Sequence, residues 1–313
     1  MYAIIGNLRQ SLKQAVKGVL EARHAKYREA EIKAKAPHID KGTIVQGLRA
    51  MGLAPGDVVM LHSSLKSLGY VEGGAQTVLE AVYETVGPGG TLVMPTYYLP
   101  GGNIYKACQM TDYVFDPYKH GSTLGALPSA FLKLPGIRRS IHPTHSVSAL
   151  GPQADYIVSD HHLAPSIFGV GSPWERCLRV NAKVVGLGIT MGPVTFYHLL
   201  EDMWLDRFPV PVRLPQVFNM KCRDWKGQLI EVPVTPLDPA YNSCRIDNNG
   251  RADLQRFFMD DFRRAGILQD GRVGQASAWF VSARDFYGRL ECLAERGITI
   301  YAEPEKIAKQ IGE

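Results

Sequence analysis

The chain has no uninterrupted apolar run of the ~18 residues that a membrane-spanning helix requires. Its opening stretch, MYAIIGNLRQSLKQAV, is broken by Arg9, Lys13 and Lys17 and lacks the charged-then-apolar order of a secretory signal. The 5 cysteines (Cys108, Cys177, Cys222, Cys244 and Cys292) are scattered, odd in number and never form a CxxC pair. That pattern argues against a disulfide frame or a zinc site and for free thiols in a reducing compartment, with the cytoplasm as the expected location. No block of like charges and no basic stripe with interleaved aromatics is present, which speaks against a nucleic-acid interface. The mild net charge of +5 suits an acidic ligand such as a phosphate-bearing cofactor. GxxxxGK[ST], HExxH and GxSxG are all missing. Without a recognisable nucleophile, covalent acyl-enzyme chemistry loses ground to direct transfer between two bound substrates.

What is there reads as an ordinary globular composition, 45% hydrophobic and 21% charged over 313 residues. Leu8, Leu12, Val16, Val19 and Leu20 recur at helical spacing within 7–36. We read residues 1–42 as an amphipathic helical extension, a docking helix or homo-oligomer contact before a membrane-surface one. No repeat, low-complexity tract or linker divides the remainder, so 43–313 is expected to be a single domain. Thr43 is placed as the cap of a helix, TIVQGLRAMG, after which APGD turns into a strand over 58–64. Gly73 and Gly74 open the helix AQTVLEAVYETVG, and GPGG leads into the strand TLVMPTYY. Strand, helix, strand in that order is a βαβ unit and predicts a parallel sheet. Residues 99–120 form a polar, aromatic loop long enough for a lid or substrate wall. Further on we expect a helix around 124–134, the strand VSALG and a short helix in SPWERCLRV. The strand KVVGLGI over 183–189 and the helix TFYHLLEDMW follow. Two strand-like runs beyond Pro209, a helix over 253–265, the strand ASAWFVSA and two closing helical stretches complete the pattern.

The densest chemistry lies in RRSIHPTHS, 138–146, with two arginines, two histidines and two serines around Pro143. Buried polar groups without partners are costly, so this segment reads as part of a site. HSSLKSLG, 62–69, sits at the carboxyl end of the first strand, where Ser63, Ser64, Lys66 and Ser67 either bind an anion or make a capped, solvated turn. PTYY, 95–98, ends the second strand and either walls a ligand channel or closes the core. His142 and His145, like His198 and Glu201, are three residues apart, as metal ligands can be. Yet no third histidine is spaced to complete a zinc set, and Pro143 breaks a helical presentation. His161 and His162 read as a solvated loop pair. His198 has Thr195 three residues before it and Glu201 three after, on one helix face. Such a histidine is either a general base or a satisfied helix residue.

Four collinear stretches then carry a resemblance: GLAPGDVVMLHSSLKSLGYVEGGAQTVLEAVYETVGPGGTLVMPTY, STLGALPSAFLKLPGIRRSIHPTHSVSALG, GVGSPWERCLRVNAKVVGLGITMGPVTFYHLLED, and the later DNNGRADL with RVGQASAWFVSA. Over about residues 43–285 the chain resembles the aminoglycoside 3-N-acetyltransferases, antibiotic N-acetyltransferases that lack the GNAT fold. The resemblance implies an α/β class, an α/β/α sandwich with a mixed central sheet. It also implies acetyl-CoA as donor substrate and a small-molecule amine, an aminoglycoside or amino sugar, as acceptor. On that basis His198 would take the proton of the attacking amine, with Thr195 near the developing oxyanion or thiolate. Ser63, Ser64, Leu65, Lys66, Pro95, Thr96, Tyr97, His142, His145 and Ser146 would line the coenzyme channel. In the family a glutamate about eight residues after the Asn-Gly turn orients the catalytic histidine; here that count reaches Phe258. Asp260 or Asp261, just beyond, or Glu201 alone, would take its part. Two other readings stay open: a metal-dependent hydrolase built on His142, His145 and His198, and a non-catalytic CoA-binding relative. A polycationic acceptor favours a carboxylate-rich pocket, for which Glu201, Asp202, Asp206 and Asp112 are candidates. The net basic chain tilts the expectation toward a less cationic amine, such as an amino sugar.

Overall fold

A computed structural model describes residues 36–301. The amphipathic helix expected near the N-terminus falls almost wholly outside them. The described strands are β1 (His38–Ile39), β2 (Val58–Ser63), β3 (Tyr70–Val71), β4 (Thr91–Pro95), β5 (Val114–Phe115), β6 (Arg138–Arg139), β7 (Val147–Leu150), β8 (Lys183–Leu187), β9 (Phe218–Arg223), β10 (Leu229–Val234), β11 (Gln269–Val273) and β12 (Ala276–Ser282). Seven of them form the central sheet, in the order β11-β12-β8-β2-β4-β7-β6. β8, β2 and β4 are mutually parallel, as the βαβ pattern predicts, and antiparallel strands extend the sheet on both sides. The sheet is therefore mixed.

Alternation along the strands makes the sandwich. Val59 and Leu61, Leu92 and Met94, and Val185 and Leu187 enter one apolar cluster; Met60, Val93 and Val184 enter another. Period-2 patterning with both faces apolar requires a helical layer on each side. Helices α1 (Lys41–Ala50), α2 (Gly74–Val86) and α3 (Ala126–Phe131) cover the first face. Helices α4 (Pro173–Arg179), α5 (His198–Trp204), α6 (Ala252–Arg264) and α7 (Ala283–Glu295) cover the second. The cap of α1 is Asp40, whose carboxylate accepts from the Thr43 N–H at 2.7 Å; Thr43 itself lies inside the helix. In β8, Gly186 faces Trp279 of β12, and a Cβ there would collide with the indole, so only glycine admits that ring.

The 99–120 segment, expected to be a loop, contains a helical turn (Ile104–Cys108) and β5. β5 pairs with β9 and joins the β9–β10 hairpin in a second, three-stranded sheet. Phe115 is fully buried there, so a local polar pattern gave way to long-range pairing.

Candidate active site

One rim of the central sheet collects the chemistry. β2 ends at His62–Ser63, opposite the end of β8, and β4 ends at Pro95, opposite the start of β7. Because β2, β4 and β8 run parallel and β7 runs against them, three carboxyl ends and one amino end converge. Loops leaving such an edge are free to build a site. A cavity of about 290 Å³ opens there, lined by Tyr97, His145, Phe168, Thr195, His198, Arg245 and Asp247. Leu99, Asn103, Ile104 and Tyr105 close one side, so the expected wall segment does border it.

His198 opens α5 and is 4% exposed. Its Nδ1 lies 2.8 Å from Oε1 of Glu201, one helical turn on. The same oxygen accepts from the Tyr301 hydroxyl at 2.9 Å, and Arg213 lies 3.9 Å from the other carboxylate oxygen. Burial by itself would raise the Glu201 pKa, but His198, Arg213 and the Tyr301 hydroxyl together hold it below the usual carboxylate value. An ionised Glu201 can only accept, so Nδ1 carries the proton and Nε2 presents a lone pair. Nε2 lies 3.3 Å from Nη2 of Arg245, on the cavity side. Phe168 packs against the imidazole with centroids 4.9 Å apart.

Thr195 ends a loop that leaves β8, in a 3-10 turn ahead of α5. Its Oγ1 accepts from the Trp174 indole N–H at 3.0 Å and lies 3.2 Å from Nε2 of His62. The Thr195 backbone N–H also points at that nitrogen, at 3.4 Å. The His198 backbone N–H reaches the Thr195 carbonyl, but among the described residues no hydrogen bond joins their side chains. Since the indole can only donate, the threonine keeps its own proton for His62 or for a group in the cavity. Burial pushes His62 down to about 4, so it is a neutral acceptor. Burial also raises Tyr97, whose hydroxyl is enclosed and faces the Thr195 side of the cavity.

The RRSIHPTHS segment divides sharply. Arg139, 3% exposed, donates to the carbonyls of Thr96, Pro117, His120 and Gly121 and to the Ser146 hydroxyl. With its donors so committed, it ties loops together and does not bind an external anion. The Thr96 hydroxyl donates to the Ser146 carbonyl and lies 2.8 Å from the Ser148 hydroxyl, the Ser146 hydroxyl donates to the Thr96 carbonyl, and Pro95 is buried beside them. His142 accepts at Nδ1 from the His145 N–H (3.0 Å) and stacks on His161 at 4.5 Å. Pro95, Thr96, His142 and Ser146, expected along a coenzyme channel, are thus interior structure. Tyr97 and His145 do reach the cavity. Ser63 to Lys66 lie at the same rim but do not line it; the Ser63 hydroxyl is buried, Ser64 accepts from Ser67, and Lys66 is exposed.

His161, expected in solvent, is fully buried, with Nδ1 3.0 Å from the Ser140 hydroxyl and Nε2 2.9 Å from the Ile167 carbonyl. Asp260 and Asp261 are also elsewhere. Asp261 forms a bidentate pair with Arg289 (2.6 and 2.7 Å), and Asp260 meets Arg263 beside a separate hollow of about 710 Å³. Helical geometry explains the miss: from α6 the buried aromatics Phe257, Phe258 and Phe262 face the core and turn these carboxylates aside. Among the described residues, Glu201 is the carboxylate within hydrogen-bond distance of His198. Among them, too, no group of three or more His, Cys, Asp or Glu side chains is arranged to hold a metal ion, and His142, His145 and His198 do not converge. Asp202 is consumed by Arg213 and the Phe168 N–H.

Sequence reasoning missed His62, Phe168, Arg213, Arg245 and Tyr301. Tyr301 meets a carboxylate 100 residues away and Arg245 a histidine 47 away. No local pattern announces such contacts. His62 was visible, as a histidine ending an apolar strand on the side opposite Leu61.

A family model described as Aminoglycoside 3-N-acetyltransferase matches residues 60–293. Aminoglycoside N(3)-acetyltransferase III of Salmonella sp is 30% identical over 252 residues, 77% of this chain and 86% of that protein. The crystal structure of aminoglycoside acetyltransferase AAC(3)-Xa superposes with a TM-score of 0.70 at 26% identity, over 84% of this chain and 95% of that one. A histidine-to-alanine variant of AAC(3)-IVa, in complex with a gentamicin, gives 0.67 at 28% identity, over 86% and 94%.

Proposed function

Because the chain belongs to the aminoglycoside 3-N-acetyltransferase family, we propose that it moves the acetyl group of acetyl-CoA onto an amino group of an aminoglycoside or amino sugar, with His198 as general base. The observation that carries this reading is the polarised imidazole: Nδ1 held by Glu201, Nε2 turned to the cavity wall. The neutral amine attacks the thioester carbonyl, the N–C bond forms, and Nε2 takes the ammonium proton that would otherwise make nitrogen the better leaving group. Collapse of the tetrahedral intermediate breaks the C–S bond, and the proton passes on to the departing thiolate. Glu201 fixes the tautomer and offsets the imidazolium charge that appears midway. With its acceptor side occupied by Trp174, Thr195 has its hydroxyl proton directed at Nε2 of His62 and turns it to the oxyanion as that charge develops. Tyr97, Phe168 and the Leu99–Tyr105 wall keep water from competing with the amine.

His198→Ala tests this directly. Acetyl transfer should fall by about 10²–10⁴-fold, the usual worth of a positioned base, while CoA affinity measured by calorimetry stays within a factor of about three. Turnover near that of the unaltered protein would refute the assignment.

A further inference from the structure

Arg245 would be out of place in a cavity built to accept a polycation. Its Nη2 sits 3.3 Å from Nε2 of His198 and 2.8 Å from Asp247. Its Nε is buried without a hydrogen-bond partner, and the side chain is 19% exposed. Since the His198 Nδ1 proton belongs to Glu201, the guanidinium donates into the lone pair that a general base must keep open. Among the described residues lining the cavity, the only carboxylate is Asp247, and it is already engaged by Arg245. The other charge-capable lining groups are imidazoles. His145 stays neutral, because burial and the nearby His198, Arg213 and Arg245 all disfavour its cation.

A cationic acceptor would meet Arg245 head-on and could not displace it from His198. An acceptor with an anionic group near its amine would do the reverse. A phosphate or carboxylate matches the planar guanidinium fork, supplies a partner for the buried Nε–H and draws Nη2 off the imidazole. Deepening the acetyltransfer reading, on which it rests, we propose that Arg245 selects the acceptor: it captures a phosphate or carboxylate carried by the amine to be acetylated, and this capture uncovers the base. The acceptor class is then an acidic amino sugar or a comparable anionic amine, not a polycationic aminoglycoside.

The test compares the unaltered protein with Arg245→Gln and Arg245→Lys, at saturating acetyl-CoA, by thiol release. Four acceptors serve as probes: gentamicin, glucosamine, glucosamine 6-phosphate and glucosamine's 6-carboxylate analogue. The unaltered protein should favour an acidic probe over glucosamine in kcat/KM, and the better of the two identifies the group captured. Arg245→Gln should cut that preference by about 10- to 100-fold, as expected for a charge-assisted bidentate contact, with Arg245→Lys between. A preference for gentamicin or an equal loss on every acceptor would each overturn it. Calorimetry with glucosamine 6-phosphate keeps the two claims separable. Binding that weakens by the same factor in Arg245→Gln, without turnover of any amine, upholds Arg245 while acetyl transfer falls. Good turnover of gentamicin without an acid preference does the opposite.

Discussion

His198 and the stacked pair His142 and His161 are about equally buried, at 4%, 2% and 0% exposure, yet stand in opposite electrostatic settings. His198 has a carboxylate at 2.8 Å, itself anchored by Tyr301 and Arg213. The partners of His142 and His161 are hydroxyls and backbone groups. Burial drives His161 down to about 3 and His142 well below its ordinary value, with neighbouring histidines adding to the effect. Both are therefore locked neutral, and both His161 nitrogens and Nδ1 of His142 are spent on holding loops. At His198 the ionised Glu201 makes a transient imidazolium tolerable. In one protein interior, a carboxylate separates the proposed base from a brace.

Glu201→Gln breaks this contrast most severely. An amide neither compensates the imidazolium nor fixes the tautomer, so kcat should drop by roughly 10²–10⁴-fold while folding, followed by circular dichroism, persists. A loss below about threefold would mean that Glu201 is merely a helix contact.

His161→Phe probes the other side. It removes two hydrogen bonds and leaves the Ile167 carbonyl without its donor, a cost of about 1–3 kcal/mol. A further signature is pH. A histidine whose folded pKa lies below its unfolded value of about 6.5 binds fewer protons in the folded state. Its stability contribution is present above that value and erodes as pH falls toward about 3. The erosion is at most about 1.4 kcal/mol per pH unit per histidine. Denaturant melts at pH 7 and pH 5 should show a shallower acid loss in His161→Phe than in the unaltered protein. Equal slopes would show that His161 titrates normally.

Asp261→Asn is the mildest of the set for catalysis. It breaks the half-buried pair with Arg289 and should cost about 1–3 kcal/mol of stability, yet kcat should stay within about threefold. A collapse of kcat would return Asp261 to the catalytic centre.

Much of the scaffold was legible because it is written in local periods. Val59, Leu61 and their neighbours alternate, Gly73 and Gly74 open a helix, and KVVGLGI is short, apolar and β-branched. The pairing of His198 with Glu201 was legible for the same reason, since both lie within one helical turn. The RRSIHPTHS segment shows where such reading fails. Density of polar residues marked it as a site, but the fold spends Arg139, His142 and Ser146 on the interior and delivers His145 alone to the cavity. The surplus of polar groups was a sign of loops needing internal satisfaction as much as of catalysis.

By itself, then, the sequence determined the βαβ frame, the apolar faces of its strands and the imidazole–carboxylate pair of α5, all set by spacing along a few residues. Only the tertiary structure decided which polar groups face the cavity. It brought Tyr301 to Glu201 and Arg245 to His198, turned Asp260 and Asp261 away, and buried His161. Those outcomes depend on how distant segments meet around the sheet edge, and a hydrogen bond across 100 residues leaves no periodic trace in the chain.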